Sequence, residues 1–534
     1  MYRNLTKVEN RLSGEVNVES ILALDEQIRE HETVIAELKR ARNSLLNISK
    51  LPPELLGNIF RWNVTLKGDF GGLEKESHNF LLVCHHWFKV ASSTPELWSF
   101  WGNTPKDWAR WSHRSGTAPV DLVLDFYEGG GSFDAALCNV LRDHATRDTI
   151  RRFHLRACGS NLLSSIISPL TAGPKEHRSI SVESLILRDE SGGIVDISDF
   201  LAHYSFSNLQ RLELSNCTVS SWDLITSRTP VLTTLDLYFR GPWLSPTPTA
   251  SQLLFILASY PILQNVSLSW FGDRDSGDDG DDGGGNPSPR VSLPHLKELK
   301  LDGDMHEVFG LLGRLDHPNH MDTLDVTFEQ CEIADVSDLV GPYLQDYLRR
   351  RGGSQSGLGL SLRVTRGDSI VLHVGDPSGI DFSNPVPARM KTFAEITMDL
   401  DRGHPKHILE EAILRLIAYT PQEEIVHFRT YGEPVAMEKI SAQLPNLRGL
   451  HFEKTPLPAA LPKSSLDRKI FPSLQYILLD WVVADHGDWS PLTTFLDWRV
   501  SSGNRLHTLV MIGTFRMAPS VQRSLPGVVQ EFRC

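Results

Sequence analysis

Hydrophobic residues along this 534-residue chain follow three successive patterns, and each predicts a different element. Over residues 19–46 the period is 3.5. Ile21, Leu24, Ile28, Ile35, Leu38 and Leu45 take the a and d positions of one heptad frame, and His31 and Arg42 take the other two. Charged residues such as Glu26, Arg29, Glu30, Glu37 and Arg40 fill the flanks, which is the pattern of a helix with a coiled-coil seam. Such a seam is covered either by a second copy of the chain or by the chain itself. Residues 51–62 change to a helical stripe, with Pro52 and Pro53 at the start, Glu54 in the first turn, and Leu55, Leu56, Ile59 and Phe60 on one side. A polar, glycine-containing stretch over 67–78 separates this from a second expected helix over 80–91, which ends in Pro95-Glu96-Leu97-Trp98. Beyond position 101 the third pattern begins, with an apolar–x–x–apolar–x–apolar unit that recurs to the end of the chain.

The middle segment carries a resemblance. Leu51-Pro52-Pro53-Glu54-Leu55-Leu56, Ile59-Phe60, Leu82-Val83-Cys84, Trp87 and Pro95-Glu96-Leu97-Trp98 resemble, in order, the signature of an F-box over residues 48–101. The connection between Trp62 and Phe80, with Gly68, Gly71 and Gly72, is longer than that family's pattern. The resemblance implies a small all-α module that docks onto the adaptor subunit of an SCF-type ubiquitin ligase, and through it onto a cullin. Carried over residue by residue, the docking positions are Leu51, Pro52, Leu55, Leu56, Ile59, Phe60, Leu82, Val83, Trp87, Val90, Leu97 and Trp98. About fifty residues cannot bury all of these side chains alone, which is the physical reason to expect a partner.

The third pattern is repetitive. Copies start at Ile150, Val182, Leu209, Leu232, Leu263, Leu296, Met321, Phe393, Leu447, Leu474 and Leu506, with a weaker one ending in Val426-x-Phe428. Spacings vary: 182 to 209 is 27 residues, 209 to 232 is 23, and 263 to 296 is 33. The pattern resembles degenerate leucine-rich repeats, which run ~20–29 residues with one short strand each. A proline shortly before the strand recurs, as at Pro230, Pro261, Pro294, Pro445 and Pro472, and Asn216-Cys217 matches the polar turn of a regular repeat. Stacked strands would form a parallel sheet lining a horseshoe-shaped solenoid, with alternate residues on its polar face. Arg188, Glu213, Tyr238, Lys300, Asp325, His427 and His451 are the candidates on that face for holding a protein substrate.

Two stretches interrupt the repeats. Residues 272–290 carry six aspartates among glycines and read as a disordered acidic insertion. A calcium loop starting at Asp273 would place Glu at its twelfth position, where Gly284 stands. Leu360–Val364 and Ile370–Val374 alternate around Arg366-Gly367-Asp368, the pattern of a β-hairpin.

Bulk composition narrows the function classes. A formal net charge of −13 disfavours nucleic acid and anionic membrane as partners, because both need a basic footprint. No secretory leader or membrane span is legible, and six scattered cysteines without a CxxC pair fit reduced thiols in the cytoplasm or nucleus. Cys84-His85-His86 lies in the expected second helix and reads as structural. No G-x-S-x-G elbow, phosphate-binding loop or H-E-x-x-H occurs, so no metal, cofactor or catalytic residue is expected.

The expected architecture is therefore α/β: a helix over 1–47, an all-α module over 48–101, a connector over 102–145 and a repeat domain over 146–534. The expected role is the substrate receptor of a ubiquitin ligase, not an enzyme itself. A non-ligase scaffold built on the same parts, or a hydrolase hidden in the repeats, are the alternatives.

Overall fold

A computed structural model describes residues 18–65, 79–101, 108–126, 148–158, 162–171, 178–191, 193–239, 247–269, 290–316, 318, 321–331, 336–351, 358–364, 369–376, 391–400, 406–432, 437–455, 471–482, 488–513 and 519–533. All of the acidic stretch except Arg290 lies outside the described residues. The chain divides into two compact units, Met1–Arg156 with Ile180–Val182, and Ala157–Ser179 with Glu183–Cys534. Among the described residues no helix is long and apolar enough to cross a membrane.

The first unit begins with α1, Val18–Ser44, with Glu19 in its first turn and Arg42 in its last, the arrangement the helix dipole favours. A 3-10 turn, Asn47–Lys50, leads to α2, Pro53–Thr65. The expected helix over 80–91 is instead two elements, a 3-10 turn over Asn79–Leu82 and α3, His85–Ser92. Cys84 is fully extended between them, with φ −163°. The break lets Phe80 lie flat against Phe60, with ring centroids 4.6 Å apart and planes 9° apart, while Trp87 packs on Phe60 from α3 at 5.1 Å. After the 3-10 turn Pro95–Leu97 come β1 (Phe100–Trp101), α4 (Trp108–Ser115), β2 (Val120–Phe126) and β3 (Ile150–Ala157). Strands β1 and β2 are parallel, and β2 is hydrogen-bonded to β3. Asp121 of β2 accepts two hydrogen bonds from Arg151 of β3, at 2.8 and 2.5 Å.

The second unit alternates strands and helices. Its strands are β4 (Ser184–Asp189), β5 (Arg211–Ser215), β6 (Thr234–Tyr238), β7 (Asn265–Ser269), β8 (Glu298–Asp304), β9 (Thr323–Cys331) and β10 (Leu358–Val364). There follow β11 (Ser369–Asp376), β12 (Lys391–Leu400), β13 (Ile425–Gly432), β14 (Gly449–Glu453), β15 (Tyr476–Asp480), β16 (Leu506–Ile512) and β17 (Val529–Arg533). The longer helices between them are α5 (Leu162–Thr171), α6 (Ala250–Ser259), α7 (Met305–Leu312), α8 (Gly341–Arg351), α9 (Lys406–Tyr419), α10 (Ser490–Ser501) and α11 (Pro519–Val528). Thr249 and Gln252 form a capping box at the start of α6, and Asp304 caps α7.

In space β4 to β9 follow chain order, every neighbour parallel and in register. Two apolar rows cross these strands: Leu185, Leu212, Leu235, Val266, Leu299, Leu324, and Leu187, Leu214, Leu237, Leu268, Leu301, Val326. All twelve side chains are buried. The repeated unit thus becomes a stack in which each leucine is covered by its counterpart one strand along. The backbone repeats with it. The N–H of Thr233 donates to Gln210 O, that of Gln264 to Thr233 O, that of Lys297 to Gln264 O and that of Asp322 to Lys297 O, all at 2.7–2.8 Å.

The order then departs from the chain. From β9 the chain passes through α8 to β10, which lies three places away, beside β13. Strands β11 and β12 fold back antiparallel, each against its predecessor, until β12 closes parallel onto β9. The β10–β11 pair is the hairpin expected from the alternation around 366–368, and it is set into the sheet itself. From β13 to β17 the ladder is again parallel and in chain order.

Candidate functional site

Two surfaces carry the expected functional residues, one in each unit. In the helical module the core holds Leu56, Phe60, Phe80, Val90, Ala91, Leu97 and Trp98, with Leu81, Trp87 and Trp111 packed on it. The indole N–H of Trp98 donates to Ala91 O at 2.8 Å, so its polar atom is satisfied inside. Gly57 lets α2 approach the next turn, since a Cβ there would stand 3.3 Å from Thr94 Oγ1.

This burial divides the twelve expected docking residues. Leu56, Phe60, Val90, Leu97 and Trp98 are buried in the module's own core. Leu51 and Trp87 are half-buried, and Pro52 is exposed. The remaining four face solvent: Leu55 (50% exposed), Ile59 (47%), Leu82 (85%) and Val83 (55%). Trp62, which the motif did not single out, is 69% exposed and continues the stripe of Leu55 and Ile59 at i, i+4, i+7 along α2. Helix periodicity could have found it. Along α1 every seam residue from Ile21 to Leu38 is exposed as well, so the chain's own described residues leave the seam uncovered.

In the second unit, alternate residues of the strands form the polar face opposite the leucine rows. One row runs Ile186, Glu213, Asp236, Ser267, Lys300, Asp325, and the next Arg188, Ser215, Tyr238, Ser269, Asp302, Thr327. The candidates Arg188, Glu213, Tyr238, Lys300 and Asp325 therefore share one continuous face. Tyr238 and Lys300 are exposed, Arg188 and Asp325 are half-buried, and Glu213 is buried beneath its partners. Glu213 pairs with Arg188 and, at 3.0 Å, with Arg211. Burial, and then the neighbouring Glu213 carboxylate, raise the pKa of Asp236 above the ordinary value.

His427 and His451 lie on β13 and β14, separated from the first group by the inserted strands. Both are buried, so neither presents a broad surface to a protein ligand. Burial, with Arg429 nearby, pushes the pKa of His427 down to about 3 and that of His451 well below the usual value. The register places Arg429 beside His451, and Tyr431, Glu453 and Asp480 in one row. Arg429 pairs with Glu453.

Sequence reasoning missed Arg499. It is buried on α10 and donates to Phe471 O and Leu474 O, both at 2.7 Å, tying down the turn before β15. Burial lowers its pKa to about 10. It also missed a recurring left-handed residue directly after the strands: Asn216, Lys454, Trp481 and Gly513 all have positive φ, between 46° and 110°. The first three donate their N–H to the last residue of the next strand, at 2.8–2.9 Å. Asn216 and Gly513 are residue types that favour this conformation, whereas Lys454 and Trp481 are not; the Nδ2 of Asn216 also reaches Asp189 O at 2.6 Å.

Compared with protein-family models and with curated proteins, the chain gives no match in either.

Proposed function

We propose that the chain is a substrate-receptor subunit of an SCF-type ubiquitin ligase. The module resembling an F-box would dock to the ligase adaptor, and a leucine-rich-repeat-like solenoid would present its polar face to a protein substrate. One observation carries the reading: α2 closes its core with Leu56 and Phe60 while holding Leu55, Ile59 and Trp62 in solvent, with Leu82 and Val83 exposed beside the next turn. Exposed apolar side chains of this size in a small module mark a protein contact, and aromatic and aliphatic anchors dominate such contacts. On this reading the chain supplies proximity. It holds the substrate at high effective concentration near a conjugating enzyme on another subunit, needs no cofactor and works in the cytoplasm or nucleus.

The test is co-purification of the full chain with adaptor and cullin. Leu55→Asp with Ile59→Asp reduces recovery at least about tenfold while the fold persists. Undiminished recovery overturns the proposed interface.

The uncovered seam of α1 favours a second reading, a scaffold that assembles through this helix without a ligase. Isoleucine at three of the four a positions (Ile21, Ile28, Ile35) and leucine at three of the four d positions (Leu24, Leu38, Leu45) suits a two-stranded parallel homodimer. Such a scaffold would form the dimer and recover no cullin.

A further inference from the structure

His451 and Glu453 stand two residues apart on β14, and Asp480 lies across from Glu453 on β15. Their candidate donor atoms, one nitrogen and two carboxylate oxygens, lie within 4.8 Å of one another. The arrangement is unfavourable as it stands. Two carboxylates directly opposite on adjacent strands repel. Arg429 pairs with Glu453, whereas the ion-pair contact of Asp480 among the described residues is with His451 Nε2 at 3.9 Å. That distance is beyond a hydrogen bond. His451 Nε2 is itself buried and has no hydrogen-bond partner among the described residues, with the side chain only 5% exposed. Burial first, and then the neighbouring Arg429 and His427, hold its pKa well below the usual value. A buried imidazole nitrogen that lies close to two carboxylates and lacks a hydrogen bond is completed by a cation that all three can share.

We propose that His451, Glu453 and Asp480 bind a divalent transition-metal cation, with zinc the best match to the donors. An imidazole nitrogen with two carboxylate oxygens suits zinc and its first-row neighbours better than magnesium or calcium, which prefer all-oxygen shells. Tetrahedral bonds of ~2.1 Å set donors roughly 3.4 Å apart, so the three side chains close by a modest rotamer adjustment. Arg429 fixes the Glu453 carboxylate from one side, in the manner of an outer partner that orients a ligand. Three protein donors leave a coordination position for water or for a donor from a bound molecule. The site rests on this cluster alone and is independent of the ligase reading.

The test is calorimetric titration of the purified, chelator-treated full chain with zinc chloride, alongside visible spectroscopy with cobalt chloride. One saturable equivalent is expected, with a cobalt d–d absorption band, and excess magnesium does not displace it. Asp480→Asn and Glu453→Gln keep size and shape. Each is expected to weaken that equivalent at least about tenfold, with an unchanged far-UV circular dichroism spectrum. His451→Ala removes the nitrogen donor and abolishes the cobalt band. The chain has twenty histidines, so ions can also bind elsewhere. Equal stoichiometry and affinity in wild type and all three variants, or no binding by wild type, overturns the site. Adaptor recovery by Asp480→Asn remains at the wild-type level, which separates this result from failure of the docking reading.

Discussion

The helical module and the parallel sheet solve the same problem, covering apolar side chains, in different ways. In the sheet each buried leucine meets its counterpart on the next strand. Leu212 is flanked by Leu185 and Leu235, and Leu268 by Leu237 and Leu301, so coverage is supplied by repetition. The module has no neighbour of its own kind. It closes a core around Phe60, Phe80 and Trp98 and leaves Leu55, Ile59, Trp62, Leu82 and Val83 outside. Covering a Leu or Val side chain contributes about 1.5–3 kcal/mol. The repeat region gains that term within its own chain, whereas the module keeps it available for association. On this contrast, substitutions in the module should separate into folding and binding classes, while those in the leucine rows of the sheet should act on stability alone.

The sharpest break comes from Phe60→Ala. Removing a fully packed aromatic ring that stacks on Phe80 lowers the module's stability by about 3–5 kcal/mol, read as an early thermal or urea transition. Leu55→Ala, one turn away on the exposed stripe, leaves that transition within about 0.5 kcal/mol. If the two substitutions had equal effects, the division between core and surface would be wrong.

Next in size is Arg499→Met. The side chain donates to two carbonyls at the turn before β15; Phe471 O also accepts from the N–H of Leu474, so the substitution strands Leu474 O, at a cost of about 1–3 kcal/mol. The second unit's urea midpoint should fall while adaptor recovery stays constant.

Acid should act on the second unit in the same way. His427 titrates at about 3 in the folded state because burial disfavours its cation, against about 6.5 unfolded. The unfolded chain therefore binds the proton first. Stability is at its full value above pH ~6.5 and declines by about 1.4 kcal/mol per pH unit for this histidine as pH falls towards 3. His451 shifts in the same direction. Urea midpoints measured from pH 7 to pH 5 should fall accordingly, and His427→Gln should flatten the slope.

The smallest effect belongs to Lys454, whose φ of 46° lies in the region glycine tolerates best. Lys454→Gly should raise the melting temperature slightly, through relief of about 0.5–1 kcal/mol of backbone strain. A marked fall would mean that the cation–π contact of Lys454 with Tyr431, at 5.7 Å, outweighs that strain.

The sequence by itself determined where strands form and which of their faces is apolar. Every copy of the apolar unit from Ile150 to Leu506 lies on or leads directly into a strand, because a period of two is a local property of an extended chain. It also marked the long N-terminal helix and the α2 stripe, through local periodicity of the same kind. Tertiary structure alone decided which stripe residue points inward. Leu55 and Leu56 are adjacent and chemically identical, and only the positions of Phe80 and Trp98 make one buried and the other exposed. It also decided the out-of-order strands β10 to β12, the split at Cys84, the left-handed positions filled by residues as unlike as Lys454 and Trp481, and the meeting of His451 with Asp480. These are relations between residues distant in the chain or set by backbone conformation rather than residue type, and hydrophobic periodicity carries no record of them.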